Sequence, residues 1–200
     1  MKKKYTFLGI GLLVGLALVM GAWSLFEQPY QYQGSLIDPP VPAADFQLAD
    51  QNGGTFQLNE QRGKVVLVFF GYTNCPDVCP VTLSQFQQVK SVLGNEADQV
   101  RFVFVTVDPE RDTTEVVKSY LNKFDPTFIG LTGTRAELEP IWKAYGVYQE
   151  KHDGEVDLDA LVDHSSTVYA IDKNGNWRLT YQFGMETQKL TQDVVHLIDE

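Results

Sequence analysis

Sulfur and imidazole are scarce in this chain. Its 200 residues hold two cysteines, Cys75 and Cys79, and three histidines, His152, His164 and His196. Two thiols leave room for a single disulfide at most, so no multi-disulfide framework holds the fold. Positive charge is also in short supply. Three of the sixteen basic residues and none of the 26 acidic ones precede Glu27, so everything beyond that point carries a formal −13. Such a surface repels nucleic acid and anionic lipid and favours cations. Internal repeats and low-complexity tracts are missing, which leaves an ordinary folded domain.

Long apolar runs are absent with one exception. Phe7 to Phe26 carries no charged residue, about the span a helix needs to cross a bilayer. No lipid-accepting cysteine follows it, and Ala22-Trp23-Ser24 is a poor cleavage site for a signal peptide. A retained membrane anchor over residues 1–26 is expected. Lys2, Lys3 and Lys4 then stay cytoplasmic and the rest faces outward. Residues 27–44, with Pro29, Pro39, Pro40 and Pro42 among glutamines, are expected to form an extended stalk. Residues 45–200 are enough for one domain with its own core.

Periodicity gives that domain its plan. Phe46 to Leu58 reads as two short strands around Asp50-Gln51-Asn52-Gly53-Gly54, an N-terminal hairpin. Val65 to Phe70 and Arg101 to Val107 are continuous apolar runs, as in strands buried on both faces. Between them Leu83, Phe86, Val89 and Leu93 recur at helical spacing up to Gly94. Helices are expected over Thr113 to Phe124 and Ala136 to Tyr145, with Phe128 to Leu131 as a short connection. Strands Thr167 to Asp172 and Trp177 to Phe183 meet at Lys173-Asn174-Gly175-Asn176, and a helix from Thr187 to Ile198 closes the chain. A βαβ half followed by a ββα half is an α/β, thioredoxin-like fold: a central mixed sheet flanked by helices, here with an added hairpin and a single transmembrane anchor.

The two cysteines stand in Gly71-Tyr72-Thr73-Asn74-Cys75-Pro76-Asp77-Val78-Cys79-Pro80, directly after the first buried strand. Pro80 is expected to open the following helix, with Cys79 at its cap and Cys75 to Val78 as a stiff turn. A thiol at a helix N-terminus ordinarily has a lowered pKa, whereas Asp77 works against ionisation unless a cation is present. The turn can therefore run dithiol–disulfide chemistry or bind a soft cation. Three residues separate the cysteines where thioredoxins have two. No proline stands just before Thr167, where thioredoxins keep a cis-proline. Val68 and Tyr72 occupy the places where peroxiredoxins need proline and threonine, so a peroxidase is discounted. His164 lies at the loop end leading into the strand from Thr167, next to the cysteine turn in a thioredoxin-like sheet. Two thiolates and one imidazole suit monovalent copper.

The stretches GYTNCPDVCPVTL at 71–83, VDPERDTTE at 107–115, FDPTFIGLTG at 124–133 and VDHSSTVYAID at 162–172 together resemble the Sco/SenC family, over roughly residues 42–200. The resemblance implies a membrane-anchored, thioredoxin-fold copper protein that assists assembly of the dinuclear copper centre of cytochrome c oxidase. By that resemblance Cys75, Cys79 and His164 are the ligands of a copper ion, Cu(I) or Cu(II). The copper-accepting oxidase subunit is the implied partner. Asn74 stands where the family often has histidine and Thr114 where it often has proline; neither removes a ligand. Copper binding requires the dithiol, which an oxidising compartment opposes, so an extracytoplasmic thiol reductant is also expected. The short leader places the protein in a bacterial cytoplasmic membrane, its domain on the outer side. A carrier rather than an enzyme is expected. Two readings stay open: a thiol–disulfide oxidoreductase using Cys75 and Cys79 on the same acceptor, and a copper or redox sensor. The loop Asp108, Glu110, Arg111 and Asp112 reads as local carboxylate–arginine pairing, or as a group that docks a partner or shapes the copper pocket. The acidic stretch Glu150 to Asp163 reads as a solvated loop whose motion brings His164 to the metal.

Overall fold

The computed structural model describes residues 29–147, 149–150, 163–164 and 166–200, with the backbone alone at 149–150 and 163–164. Two compact units are distinguished, Met1–Gln31 and Tyr32–Glu200. The expected anchor at 1–26 lies outside the described residues. Among those described, no helix is long and apolar enough to cross a membrane.

The second unit is built on an eight-stranded sheet. Its strands are β1 (Ser35–Pro42), β2 (Gln47–Asp50), β3 (Thr55–Gln57), β4 (Val65–Gly71), β5 (Val100–Thr106), β6 (Ile129–Thr132), β9 (Thr167–Ile171) and β10 (Asn176–Gln182); the short β7 (Gln149–Glu150) and β8 (Asp163–His164) pair apart from it. Across the sheet the order is β1-β10-β9-β4-β5-β6-β2-β3. β4, β5 and β6 run parallel and the other neighbours antiparallel. All seven residues of β4 are buried. A strand so apolar is stable only at the centre of a sheet covered on both faces.

Alternation along β4 divides the core. Phe69 meets Phe104 on one face, and Phe70 meets Tyr145 and Tyr169 on the other. The first face is covered by α1 (Val78–Leu93), which buries Leu83, Phe86, Val89 and Leu93, and by α2 (Thr114–Leu121). α3 (Arg135–Ala144) caps its first turn with a Thr134–Glu137 box and sends the Trp142 indole N–H to the Thr106 carbonyl at 3.1 Å. α4 (Thr187–Asp199) packs beside α1.

Three expectations are corrected. α1 begins at Val78, two residues before Pro80, so Cys79 lies inside the first turn and Asp77 takes the cap position. A proline is tolerated there because first-turn amides have no helical acceptor, and its clash with the carbonyl four residues back falls on Pro76, ahead of the helix. Phe128 to Leu131 is not a mere connection: Ile129–Thr132 is a sheet strand parallel to β5. Bare Gly130 makes this possible, since a Cβ there would lie 2.4 Å from Val117 and 2.5 Å from Leu121 of α2. The second half of the expected stalk, Ser35–Pro42, pairs antiparallel with β10. Its register shifts between Leu36 and Val41, so Pro39 and Pro40 sit in an irregularity on an edge strand, where missing amides are tolerated.

The chain entering β1 is held by α4. The fully buried Asp193 carboxylate accepts from the Gln33 amide at 3.0 Å and the Gly34 amide at 2.8 Å. Asp193→Ala would orphan both amides and is expected to lower the unfolding free energy by about 2 kcal/mol in urea titrations. An unchanged midpoint would show that water replaces the carboxylate there.

Candidate metal centre

The site forms where β4 ends. Gly71 has no Cβ, and one built there would lie 2.8 Å from Cys79 Sγ, 2.9 Å from Phe104 and 3.0 Å from Phe69. Only glycine lets the Cys79 sulfur fold back against the strand it has just left. Cys75 is 8 % exposed and Cys79 fully buried. Neither forms a disulfide. The Cys79 amide donates to Cys75 Sγ at 3.4 Å, so the first turn of α1 holds the two sulfurs together.

Hydrogen bonding with Cys75 and burial reverse the expected acidity of Cys79. Its pKa is raised, first by hydrogen bonding with Cys75, then by desolvation, with the Tyr72 backbone acting weakly the other way. The helix terminus does not make this thiol a thiolate. Deep packing against Phe104 leaves the charged form without water.

The carboxylate expected beside the thiols is also a different one. Asp77 is exposed and makes no side-chain cap. Asp112, 1 % exposed, instead accepts from the Thr73 hydroxyl at 2.6 Å, the Thr73 amide at 3.1 Å and the Thr106 hydroxyl at 2.6 Å. It joins the cysteine turn to the end of β5 and contributes to the raised pKa of Cys79. Of the readings of the loop that holds Asp112, the local carboxylate–arginine pairing is present. Arg111 pairs with Asp108 and lies over the Tyr72 ring at 5.9 Å. Arg135 pairs with Glu110 at 2.8 Å. Tyr120 of α2, to which sequence reasoning gave no role, has a raised pKa caused by burial, Cys79, Cys75 and Asp112 in that order.

His164 is placed by its backbone. The antiparallel register Phe69↔Val168 sets the entrance of β9 beside the end of β4, and His164 precedes that entrance in β8, paired with Gln149. Its side chain lies outside the described residues, as do His152 and residues 151–162. Among the described residues no group of three or more histidines, cysteines and carboxylates forms a metal set. His196 packs edge-on to Tyr32 with ring centroids 5.4 Å apart and lies 3.6 Å from Glu200, a structural placement on α4. Tyr72 is buried packing, as expected.

Two variants test this geometry. Gly71→Ala must displace the Cys79 sulfur or the Phe104 ring, and about 1–3 kcal/mol of stability should be lost by urea unfolding; a variant as stable as the parent would mean the contact is not tight. Asp112 has a raised folded pKa, chiefly through desolvation and against the pull of its Thr106 and Thr73 hydrogen bonds. A carboxyl of this kind favours the fold most below its ordinary value of 3.8 and loses that contribution as pH rises through the raised folded value. The stability of the parent relative to Asp112→Asn should therefore fall as the pH rises above 3.8. A difference that grows over that range would reverse the assignment.

Residues 37–199 match the SCO1/SenC family. The chain is 35 % identical over 178 residues to the SCO2-like protein of Rickettsia felis, covering 84 % of this chain and 87 % of the relative. Bradyrhizobium japonicum ScoI, solved with copper bound, is 37 % identical, with a TM-score of 0.72 over 78 % of this chain and 99 % of that one. Apo Sco1 of Thermus thermophilus, in solution, is 34 % identical, with a TM-score of 0.76 over 84 % and 98 %. The fold is the thioredoxin-like α/β arrangement those structures share, and the chain belongs to the SCO1/SenC family.

Proposed function

We propose that this protein is a copper metallochaperone: it holds copper through Cys75, Cys79 and His164 and delivers it to the dinuclear copper centre of cytochrome c oxidase during assembly. The observation that carries the reading is a pair of cysteines that form no disulfide, drawn together by the Cys79 amide at the end of a buried strand. They sit in a chain 37 % identical to a ScoI solved with copper bound. The reading is supported by the backbone register, which sets the entrance of β9 beside the end of β4, with His164 just ahead of that entrance in the chain.

Chemistry at the pair favours a soft cation over bare thiolates. Burial keeps the Cys79 proton in place until a cation displaces it, so loading releases protons and weakens as pH falls. Two thiolates with Cu(I) leave one net negative charge and with Cu(II) none, so both oxidation states fit the donor set. Transfer proceeds by ligand exchange with the thiols of the acceptor. Residues 1–26 anchor the protein in the bacterial membrane with the domain outside, and a thiol reductant on that side restores the dithiol after oxidation. Two neighbouring cysteines outside any disulfide also favour a second reading, a thiol–disulfide reductase acting on the cysteines of the acceptor.

Copper stoichiometry decides between the two. The reduced domain should bind one copper, and His164→Ala and Cys75→Ser should each lower retention by roughly 10- to 100-fold against a competing chelator. His164→Ala should leave disulfide exchange with a small dithiol nearly unchanged. If the parent binds no copper while exchange proceeds, the reductase reading replaces the chaperone.

A further inference from the structure

α1 differs from its neighbours in its outer face. Of its sixteen residues only Lys90 is charged, and that ammonium donates to Asp125 and to Thr127, both at 2.6 Å. The shorter α3 carries Arg135, Glu137, Glu139 and Lys143. A helix on a domain surface ordinarily turns charge to water. α1 turns Val81, Gln87, Gln88, Ser91 and Val92 to it instead, with Val81 50 % and Val92 70 % exposed. In a chain that carries a formal −13 from Glu27 onward, this neutral strip is the exception.

Two hollows border the strip. One, of about 440 Å³, lies between α1 and residues 183–187 and is lined by Pro80, Val81, Gln88, Phe183 and Met185 among others. The other, of about 530 Å³, is lined by Gln87, Ser91, Gly94 and Ala97, and Gln88 borders both. The walls of the first are fixed in advance. Gln85 donates to the Met185 carbonyl at 2.6 Å, and the Thr187 hydroxyl donates to Gln88 Oε1 at 3.3 Å. A surface that needs no reordering loses less on association.

The first hollow begins at the cysteine turn, because Pro80 and Val81 directly follow Cys79. Its far wall is tied to the entrance of β9: the Phe183 amide donates to the Ser166 carbonyl at 3.0 Å. Cys75 is nearly enclosed, so a protein that takes copper by ligand exchange must touch the chain around this turn. Val81 and Phe183, the latter 45 % exposed, give it apolar surface there. Interface centres are poor in charge and carry contiguous apolar area. Exposed carboxylates stand at both ends of the strip, Asp77 before α1 and Glu96 after it.

We propose that the uncharged strip of α1, with the hollow beside Phe183, is the docking surface for the copper acceptor, which lays an apolar segment along the strip and sets basic side chains against Asp77 and Glu96. This rests on the copper reading above. A second copy seated there would cover the turn through which copper must leave, so the partner is a different protein. Apolar contact holds the complex, and the acidic ends speed and orient the encounter.

The test takes the reduced, copper-loaded full-length protein in detergent and the apo copper-accepting domain of cytochrome c oxidase from the same organism. Association is read by fluorescence anisotropy of the labelled acceptor at several salt concentrations. Gln88→Lys and Val92→Ser change exposed side chains outside the cysteine turn, so copper stoichiometry and the thermal midpoint should match the parent. Each should weaken association roughly tenfold and slow copper transfer in proportion. Glu96→Gln should keep the high-salt affinity and flatten the salt dependence. A parent that binds no copper overturns the copper reading, and this proposal with it. A parent that loads copper but docks the acceptor no more tightly than Gln88→Lys and Val92→Ser overturns the docking surface alone. So does a parent that sediments as a dimer which both variants dissociate, since the strip then belongs to a second copy.

Discussion

A single buried carboxylate holds the business end of this fold in place. A strand that ends inside a core must release its chain into a turn whose amides and hydroxyls still need partners, because water does not reach them. Asp112 supplies those partners to Thr73, takes the Thr106 hydroxyl as well, and is itself fixed by its backbone to Asp108 and Thr132. The ends of β4 and β5 are thereby locked in register at the level where the cysteines begin. The cost is a buried charge next to two thiols. It is tolerated because the Thr73 amide and hydroxyl and the Thr106 hydroxyl all donate to it.

The sulfur environment that results is unusual for redox chemistry and suited to metal capture. Thiol–disulfide enzymes lower a thiol pKa to make a nucleophile. Here Cys79 is buried beside Gly71, and its hydrogen bond with Cys75, its desolvation and the nearby Asp112 carboxylate all push its pKa up. A pocket that disfavours free thiolate but provides two sulfurs within one helical turn gives a soft cation the means to complete it. The apolar wall formed by Phe69, Phe104 and Tyr120 also keeps water and competing hard ligands from the inner side of the pair.

Much of this arrangement is legible in the sequence, and the exceptions share a cause. VVLVFF and RFVFVTV announce buried strands because no polar residue interrupts them, and Lys173-Asn174-Gly175-Asn176 announces its turn through Gly175, whose φ of +84° suits a hairpin. The start of α1 was read two residues late because proline restricts the carbonyl behind it, not the residues before it in the same first turn. Ile129-Gly130-Leu131-Thr132 was read as a connection because four residues carry no period. Asp112 and Tyr120 escaped for a different reason. The partner of Asp112 is 39 positions away, and the relation of Tyr120 to the sulfurs passes through a ring on another strand; no local pattern encodes either. The cysteine pair, by contrast, is local, and it was readable.

The two outer strands of the sheet have a consequence for life at high local concentration. One border, β1, carries two prolines where its register breaks, and the other, β3, is only three residues long. Neither offers a run of free amides and carbonyls onto which a second copy could add its own strand. Copies brought to high concentration would thus stay separate through their backbones, and strand addition is disfavoured at both flanks.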